Sequence, residues 1–172
     1  IVYHNNKSYT VKRANYDIKT LLNDQKYFDT NVIMGHSRLI TNGLNDNQPV
    51  IRDDAIVIHN GIVVNTDEVW NELDISRNLQ IDTEAINGIV VSHLNQNGNI
   101  SDIASEVLSR CKGTISCVLL LANKGKILFF SNNGSLYKGE IGDDIYFSSE
   151  SYALKKINCS NIKQIWSDAF IL

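Results

Sequence analysis

One proline, Pro49, occurs in 172 residues, and no stretch is rich in proline, glycine or serine. No linker composition is therefore present, and the chain reads as a single domain over 1–172, large enough for a sizeable core. Cysteine is nearly as scarce. Cys111, Cys117 and Cys159 are an odd number at spacings that build neither a disulfide framework nor a zinc site, and they read as buried thiols. There is no run of charge of one sign. The net charge is -3, and no basic cluster is present of the kind that phosphate contacts require, so nucleic acid is not expected as a partner. No apolar run approaches the roughly 20 residues that cross a bilayer, so no membrane is expected either. The opening IVYHNNKSYT lacks the regions of a secretory signal, and a cytoplasmic setting is expected. Both ends are apolar and abrupt, so the chain reads as part of a longer protein.

What is present is a changing hydrophobic period. Residues 32–41 read as a buried strand, followed by a polar loop that ends at Pro49. Residues 55–64 are β-branched on both sides of Asn60-Gly61, which reads as two strands joined by a tight turn. Residues 66–73 read as a short helix capped by Asn65 or Thr66. A second helix starts after Asp82-Thr83, with Ile86, Ile89, Val90, His93 and Leu94 on one face. A third, near 101–111, turns Ile103, Val107 and Leu108 inward. Beyond it the period becomes 2, and strands are predicted over 114–121, 126–131, 135–139 and 144–149, then a short helix near 151–156 and a final strand or two. Strands, then helices, then hairpins indicate an α+β layered fold and not a parallel doubly wound sheet.

Three segments are polar where the pattern around them is apolar. Gly35-His-Ser-Arg-Leu-Ile-Thr-Asn-Gly43 places Arg38 in an otherwise buried strand, where a guanidinium needs a carboxylate. His59-Asn60-Gly61 lies between apolar stretches, and Ile81-Asp-Thr-Glu84 opens a helix. Arg38 suits a carboxylate, Asp82 an ammonium, and an Asn amide with a glycine N–H can form an oxyanion hole. Together they suit a free amino acid whose side-chain carbonyl is attacked. Each has a plainer reading: a structural ion pair for Arg38, a turn for Asn60-Gly61, a helix cap for Asp82. His36 and His59 read as structural hydrogen-bonders and His93 as a core histidine; no metal site is expected.

In this order, Gly35-His-Ser-Arg-Leu-Ile-Thr, His59-Asn-Gly-Ile and Asp82-Thr-Glu-Ala-Ile resemble the signature blocks of class II glutamine amidotransferases, which are N-terminal nucleophile hydrolase domains. The glutaminase domains of glucosamine-6-phosphate synthase and asparagine synthetase are of this kind. Lys112-Gly-Thr-Ile-Ser and Ile145-Tyr-Phe-Ser-Ser-Glu150 resemble later segments of the family. The resemblance implies a four-layer αββα sandwich of mainly antiparallel sheets and a chain that binds L-glutamine. Arg38 would hold the α-carboxylate, Asp82 the α-amino group, and Thr41 and Asn42 would line the pocket. Asn60 and Gly61 would form the oxyanion hole. Leu39 and Asn42 stand where the synthase carries Trp and His. No cofactor is implied. The partner expected is an acceptor or synthase domain that receives ammonia, and a homodimer is compatible with the resemblance. The family's nucleophile is an N-terminal Cys, and this sequence has no Cys before Cys111. A strand carrying the nucleophile is therefore expected to be missing from the N-terminal end. The alternative is an inactive module that keeps the glutamine pocket.

Overall fold

In a computed structural model, which describes residues 1–4, 8–12, 19, 30–37, 46–166 and 169–172, the apolar run Ala55–Val63 becomes a nine-residue inner strand, β5. The strands before it are β1 (Val2–His4), β2 (Tyr9–Val11), β3 (Val32–Met34) and β4 (Val50–Arg52). Beyond it come β6 (Gly113–Leu121), β7 (Lys126–Ser131), β8 (Tyr137–Ile141), β9 (Asp144–Ser148), β10 (Ser160–Gln164) and β11 (Phe170–Ile171). The main sheet has the order β11-β7-β6-β5-β4, and two three-stranded sheets have the orders β2-β1-β3 and β10-β8-β9. Every strand pairing among the described residues is antiparallel.

Side chains alternate across a strand, so a sheet that is apolar at every position must be covered on both faces. One face of the main sheet carries Val57, Leu119 and Phe130 into a core shared with helices α1 (Thr66–Glu72), α2 (Thr83–Asn95) and α3 (Ile103–Arg110). The other face carries Ile56, Ile58, Val118 and Phe129 against Val2, Met34, Leu136 and Ile165 from the smaller sheets and the segments beside them. Helix α4 (Ser151–Lys156) packs on β8, β9 and β10, and its buried Leu154 belongs to neither core. The α+β sandwich of antiparallel sheets expected from the sequence is thus observed. No helix among the described residues is long and apolar enough to cross a membrane.

The expected helices and hairpin strands form within a residue or two of their predicted spans. Three local expectations need correction. The strand predicted over 32–41 is regular only over Val32–Met34, and its end at 38–41 lies outside the described residues. Asn60-Gly61 is not a turn: β5 runs through it in nine-residue register with β6. Asn65 precedes α1, but its side chain does not cap it. Its Oδ1 instead accepts from Lys112 N at 2.7 Å, and its Nδ2 donates to Arg110 O at 2.9 Å, tying α1 to the end of α3.

Helix α2 was expected to bury one face. It is buried without a break from Thr83 to Val91, because the sheet, α1 and α3 all pack on it. In that stretch Glu84 is matched and Asn87 is held through its amide nitrogen, while Asn87 Oδ1 and Thr83 Oγ1 are buried without a hydrogen-bond partner among the described residues. Asn87 Nδ2 donates to Val50 O at 3.0 Å and Ala55 O at 3.1 Å, fastening the helix to the β4–β5 hairpin. Glu84 accepts from Arg52 Nη2 at 2.8 Å, Leu79 N at 2.8 Å and Asn78 N at 3.0 Å, and Arg52 lies over the Trp70 ring. Removing one member of such a buried set strands its partners. Glu84→Ala is expected to cost about 3 kcal/mol of stability, read from urea unfolding; a loss below about 1 kcal/mol would place the ion pair in the surface class.

Candidate functional site

The second and third motif blocks meet at the far end of β5. Gly61 has φ 146°, and a Cβ there would lie 1.9 Å from Thr114 O. Gly113 answers it from β6: φ is 125°, and a Cβ would lie 2.0 Å from Ile62 O. Two bare Cα positions thus let the strands approach where side chains would separate them. The ladder is reorganised around this contact. Ile62 N donates to Thr114 Oγ1 at 3.2 Å, and Thr114 O pairs with His59 Nε2 at 3.1 Å. Val63 N–H is given to Asp82 Oδ2 at 2.9 Å.

Asp82, at the start of α2, is buried. Its other oxygen accepts from Thr83 N at 2.9 Å, so the cap reading is half of its role and a tie from helix to strand is the other half. A carboxylate has about four acceptor positions, so two bonds leave capacity for a cationic donor. Asp82 also acts electrostatically on His59. Burial lowers the pKa of that ring below its ordinary 6.5, against the upward pull of Asp82 and of the bond to Thr114. With Nε2–H donating to Thr114 O, the neutral ring keeps Nδ1 as an acceptor, and that atom is buried without a hydrogen-bond partner. The reading of His59 as a structural hydrogen-bonder fits this geometry. His93, by contrast, is half-buried at the end of α2, with Nε2 2.9 Å from Asn99 O, so it is satisfied but not in the core.

A cavity of about 280 Å³ opens between the main sheet and the smaller sheets. It falls just below the roughly 300–1,000 Å³ of sites for drug-sized ligands, a scale that suits a small metabolite. Its walls include Gly35, His36 and Ser37 from the first motif block, His59 and Asn60 from the second, and Ser148 and Ser149 from the late segment. Asn60 is exposed here and makes no side-chain hydrogen bond among the described residues. Gly61 and Asp82 are not in the wall; they join the site through β5. Arg38, Thr41 and Asn42 lie outside the described residues. Ser116 and Phe147, which belong to the two later family-like segments without an expected role, also line the cavity, and Ser135 lines it from outside any motif. Ser116 is tied to Ser131 at 2.8 Å and to Asn133 at 2.7 Å, and only the β6–β7 register brings these together.

None of the three cysteines lines this cavity. Cys111 and Cys117 are buried, and burial pushes both thiols up, Cys111 to about 12. Cys159 is only partly buried, unlike the expectation for it. No group of His, Cys, Asp and Glu among the described residues could hold a metal ion.

The glutamine amidotransferase domain family matches residues 36–156, and the chain belongs to that family. Among curated proteins it is similar to the isomerizing glutamine–fructose-6-phosphate aminotransferase of Pyrococcus horikoshii, at 31% identity over 114 residues, which is 61% of this chain and 19% of that protein. The enzyme of the same name from Wigglesworthia glossinidia brevipalpis is 28% identical over 145 residues, 78% of this chain and 24% of that one. The chain therefore spans a quarter or less of the length of these relatives. Among solved structures, glutamine phosphoribosylpyrophosphate amidotransferase from B. subtilis, complexed with ADP and GMP, matches with a TM-score of 0.62 at 18% identity, covering 80% of this chain and 33% of that one. At that identity the likeness is one of fold.

Because burial keeps His59 neutral, the unfolded chain takes up a proton that the folded chain resists. Stability is fully present above about pH 6.5 and falls as pH drops below it. The contribution is at most about 1.4 kcal/mol per pH unit. Between pH 7.5 and 5.5, His59→Gln should flatten this decline in urea midpoints relative to wild type; parallel curves would contradict it.

Proposed function

We propose that this chain is the glutamine-binding, glutamine-hydrolysing domain of a longer amidotransferase. The observation that carries the reading is the convergence at one cavity of the His36-Ser37 and Asn60 blocks and the Ser148-Ser149 segment, with Asp82 tied to the same strand end, in a chain of this family. Arg38 follows Ser37 directly and grips the α-carboxylate of L-glutamine through a bidentate fork. Asp82 accepts from the α-ammonium with its spare lone pairs. Thr41 and Asn42 complete the pocket wall. The Asn60 amide and Gly61 N–H receive the oxyanion.

The nucleophile in this reading is the family's N-terminal Cys. Its α-amino group takes the thiol proton, and sulfur attacks the side-chain carbonyl carbon. The C–N bond breaks, and nitrogen leaves with that proton as ammonia. Water then cleaves the thioester to glutamate and restores the thiol. Ammonia passes to an acceptor held by a second domain or partner, in a cytoplasmic protein. The second reading is a module that binds glutamine without turning it over. Ammonia release from glutamine by the full-length protein separates the two.

Calorimetric titration with L-glutamine tests the binding that both readings share. Arg38→Ala should weaken binding by about 10- to 100-fold, the scale of a lost charged hydrogen bond. Unchanged affinity would remove the carboxylate role, and no binding by the wild-type chain would overturn the reading.

A further inference from the structure

Three consecutive residues outside the cavity wall, Asp46-Asn47-Gln48, hold both halves of this site. The Gln48 side chain is buried, and its amide makes two bonds to one residue: Oε1 accepts from His59 N at 2.6 Å, and Nε2 donates to His59 O at 2.8 Å. In the register of β4 on β5, where Val50 faces Val57, Gln48 falls opposite His59. A hydrogen-bonded pair in an antiparallel ladder exchanges N–H and C=O in this way between main chains. Here a side-chain amide supplies one partner and extends the ladder one rung beyond β4. Asn60 is the next residue of β5.

Two residues earlier, Asp46 Oδ2 accepts from Gln80 N at 2.5 Å and Ile81 N at 3.2 Å, the two residues before Asp82. Asp82 in turn accepts from Val63 on β5. Asp46, Ile81, Asp82, Val63, His59 and Gln48 therefore form a closed ring of chain and hydrogen bonds. A ring of this kind sets the distance between the strand end and the helix start, through buried bonds at Gln48 and Asp82 and more exposed ones at Asp46.

We infer that Asp46 and Gln48 are positioning residues that gauge the length of the bound amino acid, Gln48 aligning Asn60 and Gly61 with the side-chain amide and Asp46 aligning Asp82 with the α-ammonium. The inference rests on the glutamine reading above. It assigns the two residues opposite effects on ligands that lack one end. L-Norvaline has the α-amino and α-carboxylate groups without a side-chain carbonyl; glutaramate has the carboxylate and amide without the α-amino group.

The experiment is competition calorimetry of the full chain with L-glutamine, L-norvaline and glutaramate. Gln48→Met keeps the volume and removes both bonds. It should weaken glutamine and glutaramate about tenfold and leave norvaline unchanged. Gln48→Glu keeps the acceptor for His59 N and should lie between. Asp46→Ala should weaken glutamine and norvaline alike and leave glutaramate unchanged. A general loss of structure would lower all three ligands together in every variant, and that result, or no change, overturns the inference while leaving glutamine binding intact. If Gln48→Met does not fold, Gln48→Glu and Asp46→Ala decide between the same outcomes. A wild-type chain that binds none of the three ligands overturns the glutamine reading and this inference with it.

Discussion

The close approach of β5 and β6 at Gly61 is the constraint on which the rest of the site depends. Thr114 O sits where a Cβ would be, and the same carbonyl pairs with His59 Nε2. That contact turns Val63 N–H toward Asp82 and so fastens the start of α2 to the end of β5. Asn60, one residue before the contact, is left exposed at the cavity with no partner for its amide among the described residues. An apolar strand buried on both faces has few places to present a polar group, and this distortion makes one without ending the strand.

Much of the fold could be read along the chain. The hairpins after residue 113 could be read because short runs of apolar, β-branched and aromatic residues bounded by glycine-containing turns are local signals, and β6, β7, β8 and β9 lie close to their predicted spans. Asn60-Gly61 misled for the same reason. As a dipeptide it favours a turn, but its glycine is required by a carbonyl 53 positions away in the chain, and no local rule includes that atom. The wholly buried α2 was likewise hidden. Glu84 and Asn87 look like solvent-facing residues until Arg52 and the β4–β5 carbonyls are folded against them.

The candidate site was legible as motif blocks and not as geometry. Asn60 and Asp82 could be singled out because each is polar in an apolar setting, and both stand at the reorganised end of β5. Gln48 carried no such signal. Its importance follows from register, which places it opposite His59 only after β4 and β5 have paired. Asp46 looked like one more polar residue of a loop, and its bonds run to a segment more than thirty residues on.

Backbone amide NMR reads out whether one end of β5 and the start of α2 together hold a free amino acid. The labelled chain would be titrated with L-glutamine, with D-glutamine as the control. Saturable shifts are expected at Asn60, Gly61, Val63 and Thr83 with the L isomer, because ligand at the oxyanion donors and at Asp82 perturbs those four N–H groups together. Shifts confined to one of the two segments, or equal for both isomers, would contradict this joint hold.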